Sequence, residues 1–284
     1  PRQMSIMESG RGMEKERLDV LLVERGFFET REKAKRHIMA GVILVHDRPV
    51  DKAGTRVDRD APIRIRGKVM PYVGRGGYKL EKALSLFPIS LKGAVMADIG
   101  ASTGGFTDCA LQHGASRVYA IDVGTNQLDW KLRRLSQVIS LEKTNIKDVT
   151  LETLGEPVDF VSADVSFISV LKILPAVDAV LKPEGTMVIL VKPQFEAGRE
   201  QVGKGGIIHD PAVHRSVLVH TMAALREDGW SVLGLTYSPI KGTSGNVEFL
   251  LWAGRKKAGP DGTGEDPDRM AARVVAEAHE NLKR

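Results

Sequence analysis

A single cysteine, Cys109, stands in 284 residues. It excludes an intramolecular disulfide and any cysteine-based zinc site. The seven histidines form no HExxH motif, and with one cysteine they cannot complete a Cys2His2 set, so no structural metal is expected. Aromatic residues are scarce at 5%, which leaves the core to aliphatic side chains. No apolar run approaches the roughly 20 residues needed to span a bilayer. The best stretch, 160–181, is broken by Asp164, Lys172 and Asp178. No charged-then-apolar secretory leader is visible either. These absences point to a cytoplasmic protein without a membrane partner.

Charge is present but unevenly spread. The net charge is +5, yet residues 1–76 hold 17 Lys+Arg against 11 Asp+Glu, and the remainder holds 24 against 25. A small basic module attached to a near-neutral larger one suits an anchor for a polyanion, although an ordinary solvated surface has the same composition.

Residues 1–14 read as a disordered lead-in and 15–66 as a compact α+β unit. Arg17–Arg25 has helical apolar spacing at Leu18, Leu21 and Leu22, and Gly26 follows as a C-cap. Thr30 opens a second helix that closes at Gly41. Short strands follow in VILVH and APIRIRG. The second helix lays Arg31, Lys33, Lys35, Arg36 and His37 along one flank and turns Ala34 and Ile38 inward. Such a flank can contact RNA phosphates; Arg17 and Arg75 are added as RNA-binding candidates. RLDVLLVERG, TREKAKRHIMAGVILVHDRPV and the closing IRIR resemble an S4 RNA-binding domain over about fifty residues.

A glycine-rich connector, 67–77, leads to a second domain expected over 78–256. There VMADIG, RVYAID, QVISLE, DFVSAD and TMVILVK read as buried strands. Helices are expected near 104–113, 124–135, 167–181 and 211–228. WSVLGLTYS and NVEFLLWA follow with no helix between them, so they should pair antiparallel. The fold class is α/β: a doubly wound, Rossmann-like sheet with an antiparallel strand near its end. Residues 257–284 read as a polar tail with a possible last helix at 266–282.

The segment Asp98-Ile99-Gly100-Ala101-Ser102-Thr103-Gly104-Gly105-Phe106 leaves a strand and enters a helix. Its glycines allow a sharp turn and close approach of a ligand to the helix N-terminus. The next strand ends at Asp122, followed by Val123, where a carboxylate can meet a ribose diol. A dinucleotide and S-adenosylmethionine compete for this geometry. A G-x-x-x-G-G spacing lacks the middle glycine of the dinucleotide fingerprint. Asp98 would repel phosphates but suits a ligand carrying an ammonium and a sulfonium, which favours S-adenosylmethionine.

Asp164 and Lys192 end the fourth and fifth strands, Glu248 opens the last, and Lys79 precedes the sheet. Ligands of open α/β sheets lie beyond the carboxyl ends of the parallel strands, so these polar residues should share one rim. Transfer of a methyl group to a hydroxyl needs in-line approach and a proton acceptor within hydrogen-bond reach. Taken singly, each residue could equally be a surface charge or a salt-bridge partner.

Together, D-I-G-A-S-T-G-G-F-T-D, A-I-D-V-G-x-x-Q-L, A-D-V-S-F-I-S, V-K-P-Q-F-E-A-G and G-N-V-E-F-L resemble the TlyA family, also called hemolysin A. The similarity runs from about residue 15 to 254. It implies a seven-stranded, FtsJ-like, S-adenosylmethionine-dependent methyltransferase sheet behind the S4 domain. By that resemblance Lys79, Asp164, Lys192 and Glu248 match a catalytic K-D-K-E tetrad with Lys192 as proton acceptor. Gly100–Phe106 and Asp122 match the cofactor site, and Asn145 is placed near the adenine. The implied reaction is 2′-O-methylation of cytidine in ribosomal RNA, 23S and in some members also 16S. The implied partners are ribosomal RNA and ribosomal subunits, not DNA. With little sequence ahead of the S4 pattern, 23S alone is the preferred expectation.

Base methylation fits less well. The position after the fourth strand reads Asp164-Val165-Ser166-Phe167, without the prolines of an amino-methyltransferase loop. Carbon-5 methylation of cytosine would need a cysteine nucleophile, and Cys109 reads as core. A membrane-lytic protein, as the hemolysin label suggests, and a non-catalytic ribosome-assembly factor are the readings from other classes.

Overall fold

The computed structural model describes residues 14–67, 70–255 and 264–282. The expected lead-in, apart from Glu14, lies outside the described residues. So do 68–69 of the connector, 256 at the end of the expected second domain, and 257–263 and 283–284 of the tail. Two compact units divide between Pro71 and Tyr72.

The first unit contains β1 (Lys15–Arg17), α1 (Leu18–Glu24), α2 (Arg31–Met39), β2 (Ile43–Val45), β3 (Arg48–Pro49), β4 (Arg56–Asp58) and β5 (Ile63–Ile65). Helix α1 starts one residue later than its spacing predicts, because Arg17 is extended and pairs with Arg56. The β1–β4 pair was not expected; three-residue strands are too short to show alternation. Thr30 caps α2, its hydroxyl accepting from Lys33 N at 3.3 Å. Leu18, Leu21, Leu22, Ala34 and Ile38 close on Phe28, Ile43 and Val45, so this unit has a core of its own.

The second unit contains α3 (Gly77–Leu86), β6 (Val95–Ile99), α4 (Gly105–Gln112), β7 (Arg117–Ile121), α5 (Trp130–Arg133), β8 (Val138–Leu141), α6 (Leu151–Leu154), β9 (Val158–Ala163), α7 (Leu174–Val180) and β10 (Leu181–Val191). It continues with α8 (Pro193–Glu196), α9 (Pro211–Glu227), β11 (Trp230–Tyr237), β12 (Phe249–Arg255) and α10 (Pro267–Asn281). Seven strands form one sheet in the order β11-β12-β10-β9-β6-β7-β8. Strand β12 runs antiparallel to both of its neighbours, and the pairs among β6–β10 are parallel.

The sheet is covered on both faces, which is why its parallel strands read as nearly continuous apolar runs. Met187, Ile189 and Val191 of β10 face α7, α9 and α10, while Val188 and Leu190 face α3 and α4. From β6 the chain winds outward to β7 and β8, then returns to place β9 on the other side of β6. That reversal is the switch point at which open α/β sheets form a ligand crevice.

Two expectations need correction, and the last helix expected at 266–282 is present as α10. The helix expected at 124–135 is the single turn α5, because 122–129 is a loop with Asn126 at φ +54. The helix expected at 167–181 is a 3-10 turn, Val170–Ile173, followed by α7. The described part of the polar tail is largely α10, which buries Met270, Ala271, Val274, Val275 and Ala278 in the sheet's core. Among the described residues no helix is long and apolar enough to cross a membrane. Among them, too, no group of three or more His, Cys, Asp or Glu side chains is placed to hold a metal ion.

Candidate active site and cofactor loop

The switch point lies between the carboxyl ends of β6 and β9, where Gly100 and Asp164 meet. Asp164 N donates to Ile99 O at 2.9 Å, which draws the two strand ends together. Gly100 has φ +77, and a Cβ there would fall 2.1 Å from the Asp164 carbonyl oxygen. Gly104, at φ +99, leaves room for Leu128 and Leu132. Ser102 takes a left-handed conformation at φ +50 despite its side chain, which is uncommon outside glycine.

The loop lines a cavity through Gly100, Ala101, Ser102, Thr103, Gly105 and Phe106. Lys79, Asp164 and the segment Ile240–Thr243 complete much of the remaining wall. Helix α4 begins at Gly105, so its first-turn N–H groups have no intrahelical acceptor and suit a carboxylate. This donor set, beside acidic and basic side chains, fits an amino-acid-bearing ligand such as S-adenosylmethionine.

The other sequence candidates for the cofactor do not line this cavity. Asp98 is buried beneath the loop. Its carboxylate accepts from Thr107 Oγ1 at 2.7 Å and Ser162 Oγ at 3.1 Å, tying β6 to α4 and β9. Asp98 therefore supports the loop instead of meeting a cation across open space. Asp122 is half-buried and accepts from Ser102 N at 2.7 Å and Gly124 N at 2.8 Å. Each carboxylate oxygen keeps a further lone pair, so Asp122 can both brace the loop and accept from a hydroxyl. Val123 is 72% exposed, and Asn145 spends its side-chain oxygen on Lys147 N, starting a 3-10 turn.

Burial pushes the Asp98 carboxyl up from its ordinary range to about 6, against the two hydroxyl hydrogen bonds. A raised folded value means that the native state binds more protons than the unfolded chain between about pH 4 and 6. Stability therefore falls as pH rises through that window, by roughly 3 kcal/mol. Asp98→Asn keeps an amide able to bond both hydroxyls and removes the charge. The variant is expected to melt higher than wild type at pH 7, with the gap closing below about pH 4. Calorimetric melting across pH 3.5–7.5 checks this; a variant that melts lower than wild type at pH 7 would refute it.

The four polar residues expected on one rim converge into a chain of contacts. Lys79 Nζ lies 2.7 Å from Glu248 Oε2 and 3.5 Å from Asp164 Oδ2, and Lys192 Nζ lies 2.5 Å from Asp164 Oδ1. Signs alternate along Glu248–Lys79–Asp164–Lys192. Each has a local reason to be there. Lys79 stands in the first turn of α3, behind Gly76 and Gly77. Lys192 precedes Pro193, which keeps it extended at the end of β10 and then begins α8. Glu248 immediately precedes β12, and its backbone oxygen accepts from Ser238 N at 2.8 Å to close the β11–β12 connection. Within that connection, buried Asn246 accepts from Ile208 N at 3.0 Å and donates to Gly206 O at 2.9 Å.

Several residues at this rim were not singled out from the sequence. Lys192 Nζ also donates to Ser166 Oγ at 3.0 Å. Phe167 is 87% exposed at φ +67, with its ring 5.1 Å from that of Phe195. Glu196 accepts from Ser169 Oγ and Val170 N, both at 2.7 Å, lacing the loop after β9 to α8. Only the motif strings A-D-V-S-F-I-S and V-K-P-Q-F-E-A-G carried a signal for them. Arg75, an RNA candidate from the connector, is exposed, lines the cavity and donates to Lys241 O at 3.4 Å.

In the first unit, Arg17 and Arg31 are not free cations. They bond the wholly buried carboxylate of Asp19 at 3.0 and 2.8 Å, while each stays about half exposed. Burial pushes Asp19 up, but the two guanidinium groups outweigh it and bring it down to about 2. Lys35 pairs with Glu32 at 3.4 Å. Lys33 is half-buried and Arg36 exposed on the same helix.

Comparison with known proteins gives a consistent result. The family model described as FtsJ-like methyltransferase matches residues 72–255, and the one described as S4 domain matches residues 16–63. YqxC of Bacillus subtilis (strain 168), which carries rRNA methyltransferase in its name, is 53% identical over 95% of this chain and 96% of its own length. The 16S/23S rRNA (cytidine-2′-O)-methyltransferase TlyA of Mycobacterium tuberculosis (strain ATCC 25618 / H37Rv) is 44% identical over 83% of this chain and 88% of its own. A solved structure from Streptococcus thermophilus, bearing the hemolysin name, superposes with a TM-score of 0.73 at 46% identity, covering 96% of this chain and 98% of that one.

Proposed function

Because the chain belongs to the FtsJ-like methyltransferase family, in its S4-bearing TlyA branch, we propose that it methylates the 2′-oxygen of cytidine ribose in 23S ribosomal RNA. S-adenosylmethionine is its methyl donor. The observation that carries this reading is the alternating lattice of Lys79, Asp164, Lys192 and Glu248 beside the glycine loop. Loop 100–106 would hold the donor, with Asp122 accepting from its ribose. When bound, the donor supplies an electrophilic methyl group on a sulfonium.

The residues of this chain handle the hydroxyl. Asp164 and Lys79 fix the ribose at the cavity wall, and Lys192, as the neutral amine, takes the 2′-hydroxyl proton as the oxygen attacks. The oxygen's electron pair forms the new bond to carbon, and the pair of the broken bond returns to sulfur. Exposed Phe167 offers a face on which a flipped base can stack. The half-exposed arginines and the lysines of the S4 unit supply sequence-independent contacts to RNA phosphates.

Ribosomal subunits are the proposed form of the substrate. Purified protein incubated with the donor and either large subunits or small subunits, then mapped by reverse transcription at limiting nucleotide, is expected to leave one cytidine stop in 23S RNA. Stops in 16S RNA as well would widen the substrate range. Methyl groups on base atoms, or none in either RNA, would defeat the reading.

A further inference from the structure

Lys192 has a second partner that the charge lattice does not require. Besides Asp164 Oδ1 at 2.5 Å, its Nζ meets Ser166 Oγ at 3.0 Å. Ser166 is exposed and lies on the loop after β9, two residues beyond Asp164. That loop is held in place with unusual care. Glu196 binds Ser169 Oγ and Val170 N, and the next residue, Phe167, keeps a left-handed backbone against the Phe195 ring. Bulky residues adopt that conformation only where their surroundings impose it.

A neutral lysine nitrogen has two N–H bonds and one lone pair in a tetrahedral arrangement. One acceptor fixes a single direction, and the lone pair can still occupy either of the two that remain. Two acceptors use both N–H bonds and leave the lone pair one direction. We infer that Ser166 is a positioning residue: with Asp164 it fixes the direction in which Lys192 presents its lone pair to the ribose hydroxyl. The inference rests on the proposed reading of Lys192 as proton acceptor. It adds a requirement that the four-residue lattice lacks.

In the reaction the proton leaves the ribose oxygen for Lys192 Nζ, the oxygen's pair forms the bond to the methyl carbon, and the sulfonium becomes a thioether. Lys192 ends as an ammonium with three N–H bonds, two of them already accepted by Asp164 and Ser166. The same contacts therefore serve the product state, and only the third direction changes its occupant.

The test uses full-length Ser166→Ala, Ser166→Thr and Lys192→Ala, with single-turnover methyl transfer to large subunits measured from pH 6.5 to 9.5. Calorimetric affinity for S-adenosylmethionine and retention of RNA on filters are measured alongside. The expected result is a rate about tenfold lower for Ser166→Ala at every pH in this range, with the shape of the pH profile unchanged. Both affinities should be unchanged, and Ser166→Thr should recover at least half of the wild-type rate. A Ser166→Ala rate equal to wild type across the pH range, with Lys192→Ala inactive, overturns the inference and leaves the proposed reading intact. Loss of donor affinity in both serine variants also overturns it, by reducing Ser166 to loop structure. An active Lys192→Ala overturns the reading and the inference together.

Discussion

Lys192→Ala is expected to lower methyl transfer by roughly a thousandfold while leaving the affinity for S-adenosylmethionine near wild type. The reasoning is geometric. Lys79 is pinned between two carboxylates, one of them nearly inaccessible, and acts as their counter-ion. Lys192 faces a single carboxylate and an exposed hydroxyl, on the side where the loops after β9 and β10 open. Removing it leaves Asp164 within reach of Lys79, so the fold should survive. Lys192→Arg sharpens the test, because a guanidinium keeps the charge and cannot give up its proton in a protein. It should be as inactive as the alanine variant. Transfer of a radiolabelled methyl group to large subunits, with donor affinity measured by calorimetry, checks both. An arginine variant retaining more than about a tenth of the wild-type rate would show that Lys192 contributes charge and not proton acceptance.

Lys79→Met should damage the fold as well as the chemistry. Glu248 is 3% exposed, and Lys79 is the cation at 2.7 Å from its carboxylate. Withdrawing one partner strands a buried charge, at a cost of roughly 3–5 kcal/mol. Adding Glu248→Gln removes the orphaned charge, so the double variant is expected to regain most of that stability while staying inactive. Urea unfolding of the two single variants and the double variant gives the coupling directly. A Lys79→Met protein within about 1 kcal/mol of wild type would mean that Glu248 is stabilised by something other than this lysine.

Much of this architecture was legible in the sequence because buried parallel strands leave an unmistakable record. VMADI, RVYAI, DFVSA and VILV are runs that only a sheet covered on both faces can hide, and the loop of glycines after the first marks where the chain turns around a ligand. Two neighbouring strands without a helix between them announced the antiparallel pair. That β12 slips between β10 and β11 was not readable, since strand order depends on long-range pairing and not on composition. The chemistry at strand ends was readable in the same way: Asp164 and Lys192 terminate apolar runs, so their side chains had to meet at the rim.

What stayed hidden lies in loops and in partners. Gly77 looked like connector and is the first residue of α3, because glycine there yields to the Tyr72 ring: a Cβ would fall 2.4 Å from it. Ser166, Phe167 and Glu196 carry no periodicity, and their meaning comes from what stands opposite. Arg17 and Arg31 looked like free cations for RNA; their attachment to Asp19 depends on burial, which a charge count does not register. Asp98 was placed against a ligand because a sequence shows that a carboxylate precedes a loop, and not that Thr107 and Ser162 already occupy it.

The last strand of the sheet to be synthesised is an interior one. A nascent chain ending after β11 would hold every parallel strand, the glycine turn and three of the four charged groups, yet β10 and β11 would still lack the neighbour that joins them. Only when β12 threads into that gap does Glu248 arrive opposite Lys79. Competence for chemistry thus depends on the last-made strand, and a protein truncated a few dozen residues early would be open along a seam and would leave Lys79 without its buried carboxylate.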